Sequence, residues 1–237
     1  MSLEEKLSGP HNAVIIAIIL TILVAIESIY VIPWAPYFLI YAALAIMIPY
    51  WLHAYKFRKI RELGEKEQLT MFVIFLGISF IVLLTVDFIY SFLLSTYGLK
   101  LDPMYDLSAA LENLAFVAAG KFNITTESAF LIYAIYVMIW APIGEELFYR
   151  GYLYGELRKK YGIITSNIIS SFLFGIRHAT HFLFLLPDYP LIPGLYWSLH
   201  AFIFGIIIAY AYEKTDNLCI PMLIHFLFNL ISAAIPF

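Results

Sequence analysis

The sequence predicts an all-α, polytopic membrane helix bundle, because its apolar content is far above that of a soluble domain. Hydrophobic residues make up 62% of the 237 residues, charged residues make up 13%, and the mean hydropathy is +0.86. Soluble domains are about half apolar and about a quarter charged. At about 20 residues per crossing, a chain of this length accommodates seven or eight membrane-spanning helices and leaves no room for a separate soluble domain of any size. We therefore expect residues 1–237 to form a single membrane-embedded domain.

Apolar runs long enough to cross a bilayer set the expected order of the helices. They lie near residues 13–33, 36–55, 69–95, 127–158, 163–184, 193–213 and 217–236. Residues 107–119 are moderately apolar and could form an eighth helix, either in the interface or re-entering the membrane. Lys and Arg cluster at residues 56–66 and 158–160, and the positive-inside rule then places both clusters and the N-terminus in the cytoplasm.

Charge and cysteine content exclude several kinds of partner. The formal net charge of −3 and the absence of a basic tail argue against nucleic acid. A single cysteine, Cys219, excludes an intramolecular disulfide and any metal site built from several cysteines. Membrane lipid is the expected surrounding.

Three ionisable side chains lie in the middle of the fourth apolar run: Glu145, Glu146 and Arg150. Charges at membrane depth indicate a functional site by default. Pro142 precedes them and predicts a kink or break in the helix. Glu146 and Arg150 are four residues apart and share a face, which favours an ion pair. Glu145 lies about 100° around the helix and is expected to be freer, facing a hydrated pocket.

The later runs carry further polar residues at comparable depth. His178 lies in the fifth run, and His225 and Asn229, four residues apart, share one face of the seventh. We therefore expect a carboxylate, two imidazoles and a carboxamide to converge at about one level of the bundle. His181 and His200 lie at similar depth and are expected in supporting or interfacial positions.

Other charged residues in the apolar runs, Glu27 among them, are expected at the membrane interface or near helix ends. Arg177 directly precedes His178 and is expected to extend its charged end to the membrane interface. Asp87, in the third run, is expected to pair with polar groups near a helix end.

These residue types fit the hydrolysis of an acyl bond. Glu145 with His178 could activate a water as general base and return the proton to the leaving amine. His225 with Asn229 could donate hydrogen bonds to the tetrahedral oxyanion. In a second version, Zn²⁺ activates the water and is held by one glutamate, Glu145 or Glu146, together with His178 and His225. The residues alone do not choose between these versions.

Three motifs in one order resemble those of a known family of intramembrane proteases. They are Glu145-Glu146-x-x-x-Arg150, Phe174-x-x-x-His178 and His225-x-x-x-Asn229. On these residues the sequence is similar to the type II CAAX prenyl endopeptidases and to their relatives in the CAAX-protease and bacteriocin-processing group. The resemblance covers about residues 130–235, and the motif-bearing protease core is expected at about residues 127–236.

The resemblance implies an endopeptidase that cleaves near a CAAX-type C-terminus after its cysteine has been prenylated, releasing the last three residues. The implied roles are water activation by Glu145 and His178, oxyanion stabilisation by His225 and Asn229, and support of the site by Glu146 and Arg150. The implied reaction requires no cofactor, although zinc stays possible. The implied partners are a prenylated protein or peptide C-terminus and membrane lipid, with no nucleic acid.

Two alternatives stay open on the sequence. Some relatives are linked to bacteriocin immunity or peptide maturation, so the fold does not fix the peptide substrate. A non-enzymatic membrane protein could use the same polar cluster to bind an ion or another ligand. Against that second alternative, the sequence shows no repeated half. The complete set of motifs argues against a further possibility, an inactive relative that works as an interaction partner.

Overall fold

In the computed structural model, residues 8–30, 63–97, 112, 115–116, 119–120, 123–180 and 191–234 are described, and the regular structure of these parts is helical with no strand. The helices that organise the described part are α1 (Pro10–Tyr30), α2 (Glu65–Thr96), α3 (Thr126–Arg158), α4 (Ile163–Thr180), α5 (Leu191–Thr215) and α6 (Cys219–Ala234). The prediction of an all-α protein is confirmed for these residues.

Several of these helices are apolar enough for a lipid bilayer. α2, α3 and residues Leu195–Thr215 of α5 have the length and composition to cross it, while α1 and α6 contain shorter apolar stretches. The chain is therefore an integral membrane protein. The predicted second span, 36–55, and most of the possible helix at 107–119 fall outside the described residues, so the count of seven or eight spans stays a prediction.

At one end of the bundle, the turn between α5 and α6 contacts both the start of α2 and the end of α3. Arg158 Nη2 lies 3.0 Å from Glu213 Oε1, and Asn217 Nδ2 donates to Gln68 Oε1 at 2.7 Å. Glu213 and Asn217 flank the same turn, so Lys66 and Arg158, from the two basic clusters, lie at the same end. Of the two clusters, Lys66 and Arg158 are thus placed at one end of the described bundle, and the orientation of the chain in the membrane stays a prediction.

α3 departs from α-helical geometry on both sides of Pro142. Wider π-helical turns at Tyr136–Trp140 and Leu147–Tyr154 flank the α-helical segment Ala141–Glu146. The N–H of Ala141 bonds to the carbonyl of Tyr136, five residues back. Pro142 has no N–H to donate to the next carbonyl in that pattern, which is that of Val137. The expected break therefore takes the form of widened turns in a continuous helix, a feature often found at functional sites.

α4 and α5 run antiparallel and approach each other closely through small residues. A Cβ atom on Gly175 would lie 2.7 Å from the carbonyl oxygen of Ser198 and 2.9 Å from Cβ of Phe202. One on Gly205 would lie 3.0 Å from Cβ of Ser171. Ser198 Oγ also donates to the carbonyl of Gly175 at 2.9 Å. Small residues let membrane helices pack at short range, and here they fix the position of α4 against α5.

The segment of α3 that carries the glutamates is enclosed by apolar and aromatic side chains. The fully buried members of this core include Phe148, Tyr152, Leu153, Leu157, Phe174, Ile208 and Ile224. Charges placed among such residues interact more strongly than they would in water, and an unpaired charge there is strongly disfavoured. The core therefore requires the charged side chains of α3 to find partners.

Candidate functional site

Glu146 and Arg150 form a fully buried ion pair on one face of α3. Arg150 Nε lies 3.2 Å from Glu146 Oε2, and Nη1 donates to Oε1 at 3.2 Å, with both side chains at 0% exposure. Arg150 Nη2 also donates to the carbonyl of Gly205 on α5 at 3.3 Å, and the guanidinium lies 4.4 Å from the centroid of the Phe174 ring. The ion pair predicted from the four-residue spacing is confirmed.

His225 lies between the two adjacent glutamates. Its Nδ1 is 2.8 Å from Glu146 Oε1, and its Nε2 is 3.9 Å from Glu145 Oε2. An ionised carboxylate only accepts, so Nδ1 carries the hydrogen, and a neutral His225 presents a lone pair at Nε2. A gap of 3.9 Å is too long for a direct hydrogen bond but suits one bridging water.

Arg177 connects Glu145 to His178. Its Nη1 lies 2.8 Å from Glu145 Oε1 and 3.2 Å from His178 Nε2. His178 Nδ1 is 2.8 Å from the carbonyl oxygen of Phe174. A carbonyl only accepts and a guanidinium only donates, so these partners place the imidazole hydrogen on Nδ1 and the lone pair on Nε2. Glu145 and His178 thus face the same guanidinium nitrogen with acceptor atoms.

The expectation that Arg177 reaches the membrane interface is wrong. The residue is only 4% exposed and forms an ion pair with Glu145, which is itself 3% exposed. Glu145 is therefore not free of partners, as the sequence suggested, because Arg177 pairs with its Oε1. In a low-dielectric interior, a nearby carboxylate stabilises a cation that would otherwise extend to water. The available signal in the sequence was an arginine deep in an apolar run, directly before a motif histidine.

Phe174 supports these polar groups from one side. Its ring centroid lies 4.5 Å from that of His178 and 6.1 Å from that of His225, and both pairs meet edge to face. Tyr149 packs against it at 5.1 Å. The phenylalanine thus contributes a rigid aromatic surface that limits the orientation of both imidazoles.

Asn229 lies one helical turn beyond His225 on α6, and its amide contacts α3 at a different point. Asn229 Nδ2 donates to the carbonyl of Val137 at 3.0 Å. This is the carbonyl for which Pro142 provides no N–H. The structure therefore brings His225 to the glutamates and Asn229 to the irregular turn that precedes them.

The other two histidines named from the sequence, His200 and His181, are not among the groups around Glu145 and Glu146 that the structure describes. His200 Nε2 lies 3.4 Å from Asp87 Oδ1, joining α5 to α2. Asp87 thus contacts a polar group, as expected, but the contact lies well inside both helices and not near a helix end. His181 lies outside the described part of the chain.

The side chains suggested for zinc do not fit a metal site. Among the described residues, no group of three or more His, Cys, Asp or Glu side chains is arranged to hold a metal ion. His178 has its Nδ1 on a backbone carbonyl and a guanidinium at its Nε2. The same guanidinium, on Glu145, would repel a divalent cation. The chemistry open to this site is that of its own carboxylates, imidazoles and guanidinium groups.

Comparison with known proteins agrees with the motifs. Residues 127–231 match the family model described as Type II CAAX prenyl endopeptidase Rce1-like. The resemblance inferred from the three motifs is thereby confirmed over a segment that runs from the start of α3 into α6. The chain matches no curated protein and no solved structure.

Proposed function

We propose that this protein, whose residues 127–231 match the Rce1-like type II CAAX prenyl endopeptidase model, cleaves a prenylated CAAX-type C-terminus within the membrane and releases the last three residues. We assign the protease core to residues 127–236 within one membrane-embedded domain. The observation that carries the proposal is the position of Glu145, a buried carboxylate with Arg177 at one oxygen and His225 3.9 Å from the other.

In the proposed reaction Glu145 acts as the general base. A water between Glu145 Oε2 and His225 Nε2 gives its proton to the carboxylate while its oxygen attacks the scissile carbonyl carbon. The carbonyl π electrons move to the oxygen and form the tetrahedral oxyanion. His178, which shares the Arg177 nitrogen with Glu145, relays the proton to the leaving nitrogen as the C–N bond breaks. The products are a carboxylic acid on the prenylated cysteine and a tripeptide with a free amine.

The remaining motif residues hold and complete this arrangement. Glu146 and Arg150 fix the orientation of His225 and tie α3 to α5 through the carbonyl of Gly205. We assign oxyanion stabilisation to His225 and Asn229. His225 can donate from Nε2 only when it is protonated, because Glu146 already holds its Nδ1–H. Asn229 has a second amide N–H besides the one on Val137.

The direct test is cleavage of a farnesylated CAAX peptide by the purified protein in detergent, with the products identified by mass. The wild type should release the C-terminal tripeptide, and Glu145→Gln should lower kcat by about 10²–10⁴-fold, the usual contribution of a general base. His178→Ala should also lose activity. Glu127→Gln is the matched control, because Glu127 lies exposed at the start of the same helix. Cleavage by Glu145→Gln at the wild-type rate would overturn the assignment.

The substrate class is tested with the same peptide lacking the prenyl group. We expect efficient cleavage only when the cysteine is prenylated, because an apolar anchor delivers the peptide to a site at membrane depth. Equal cleavage of the unmodified peptide would contradict the prenyl requirement and would favour the peptide-maturation class of substrate.

A further inference from the structure

The expected oxyanion donors are partly engaged in the structure. Glu146 holds the Nδ1–H of His225, so a neutral His225 faces Glu145 with a lone pair, which cannot donate. One amide N–H of Asn229 is on the carbonyl of Val137. A tetrahedral oxyanion forming beside Glu145 requires donors that are aimed at it before the reaction begins.

Arg177 is a cationic donor held beside Glu145, and its bond to Glu145 is one that protonation of the carboxylate weakens. Its guanidinium carries N–H groups and no acceptor, and its Nη1 lies between Glu145 Oε1 and His178 Nε2 at 2.8 and 3.2 Å. The side chain is buried, and neighbours on α3 and α4 hold it, so its positive charge is not weakened by bulk water. Arg177 occupies an unspecified position of the Phe174-x-x-x-His178 motif, so the motif assigns it no role.

We propose that Arg177 is a further catalytic residue, which donates a hydrogen bond to the tetrahedral oxyanion formed beside Glu145. The inference rests on the proposed peptide hydrolysis and adds the group that stabilises its intermediate.

The movement of charge during the first step supports this role. When water gives its proton to Glu145, the carboxylate becomes neutral and the negative charge appears on the former carbonyl oxygen. Arg177 then contacts a neutral carboxylic acid at Glu145 Oε1, while the new anion forms beside the same side chain. Its interaction strengthens with the oxyanion as the interaction with Glu145 weakens, which is the differential stabilisation that accelerates a reaction. Collapse of the intermediate returns the proton to the leaving nitrogen and restores the Glu145–Arg177 ion pair.

The test compares Arg177→Met and Arg177→Lys with the wild type, using the farnesylated CAAX peptide and a phosphinate analogue of its scissile bond. The phosphinate is a stable tetrahedral anion. Arg177→Met should lower kcat by about 10²–10³-fold, as loss of one oxyanion donor does, with KM little changed. Affinity for the phosphinate should fall in parallel with kcat. Arg177→Lys keeps a charge and should retain an intermediate kcat. Arg158→Met, which removes a guanidinium at the end of α3, is the matched control and should keep the wild-type kcat.

The outcomes separate this inference from the proposed function. Failure of the wild type to cleave the prenylated peptide would overturn the proposed function. If the wild type cleaves the peptide and Arg177→Met does so with the same kcat, the role of Arg177 is overturned and the proposed function is not. A fall in kcat with unchanged phosphinate affinity would also overturn it, since Arg177 would then act only by positioning Glu145. Should thermal unfolding show that Arg177→Met is unfolded, Arg177→Lys decides by the same two measurements.

Discussion

Glu146 accepts a hydrogen bond from His225 Nδ1 at 2.8 Å, and this contact joins α3 to α6 directly beside the proposed water. The neighbouring Glu145 points to Arg177 on α4 instead. Side chains at adjacent helical positions point in directions about 100° apart, so the carboxylates of Glu145 and Glu146 meet different partners. Glu146 is held by Arg150 and His225, whereas Glu145 pairs with Arg177 and faces the groups proposed to perform the chemistry.

Glu146→Gln is predicted to destabilise the protein and to impair catalysis together. The substitution leaves the buried guanidinium of Arg150 without its ion-pair partner, and breaking a buried pair in this way costs about 3–5 kcal/mol. It also replaces the anion that holds the hydrogen of His225 on Nδ1. We expect a clearly lower thermal unfolding temperature in detergent and a reduced kcat on the prenylated peptide.

The double variant Glu146→Gln, Arg150→Met is the control for the Glu146 prediction. Removing both charges should be less destabilising than the two single effects added, because no buried charge is left alone. Activity should stay low in the double variant, since His225 still lacks its carboxylate. A fully additive loss of stability would contradict the ion pair as the cause.

Gly175→Ala is predicted to disturb α4 where it approaches α5. The added methyl would lie 2.7 Å from the carbonyl oxygen of Ser198, a backbone atom that cannot move without shifting α5. Overpacking of this kind costs about 1–3 kcal/mol. His178 lies three residues later on α4, so we also expect lower activity. Thermal unfolding and peptide cleavage measure the two effects.

Gly155→Ala is the matched substitution for Gly175→Ala. It lies within α3, and a Cβ there would meet no atom within 4 Å. Replacing a glycine inside a helix by alanine normally stabilises it by about 0.5–1 kcal/mol. The two variants should therefore change the unfolding temperature in opposite directions, and a similar effect of both would show that close packing is not the reason for Gly175.

Peptide cleavage is predicted to be unaffected by strong chelators. Arg177 places positive charge at Glu145 and His178, where a zinc ion would have to bind. Activity on the farnesylated peptide should be the same after incubation with 1,10-phenanthroline or EDTA. Loss of activity with recovery on adding Zn²⁺ would show that these side chains rearrange to hold a metal.

The sequence was sufficient to predict the class of fold and much of the cluster. High apolar content predicted the helices, and the four-residue spacing of Glu146 and Arg150 predicted their ion pair. These are local properties, determined by composition and by the helical repeat. Convergence of Glu145, His178 and His225 was expected from similar depth, which places residues at one level without fixing which of them meet.

The side chain of Arg177 was not predictable in this way. Its direction depends on where α4 crosses α3, and that crossing depends on close contacts such as those of Gly175 and Gly205 with the opposite helix. The π-helical turns of α3 were likewise not predictable from local sequence. Pro142 predicted an irregularity, but the hydrogen bond from Asn229 that accompanies it comes from a residue far along the chain.

Asn229 and Pro142 provide a way to separate a structural role from a catalytic one. Asn229→Ala should leave the part-buried carbonyl of Val137 without its side-chain donor. A fully buried acceptor left unsatisfied costs about 1–3 kcal/mol, so we expect a loss towards the lower end of that range. Pro142→Ala restores an N–H five residues after Val137, where the π-helical pattern of α3 would use it.

The double variant Asn229→Ala, Pro142→Ala should therefore recover most of the stability that Asn229→Ala loses. Its catalytic behaviour decides the second question. If the other amide N–H of Asn229 stabilises the oxyanion, kcat stays low although the unfolding temperature returns. Recovery of both stability and kcat would show that Asn229 serves only to satisfy the carbonyl, and the oxyanion would then depend on Arg177 and His225. Thermal unfolding and cleavage of the farnesylated peptide are measured on the wild type, the two single variants and the double variant, and together they distinguish these outcomes.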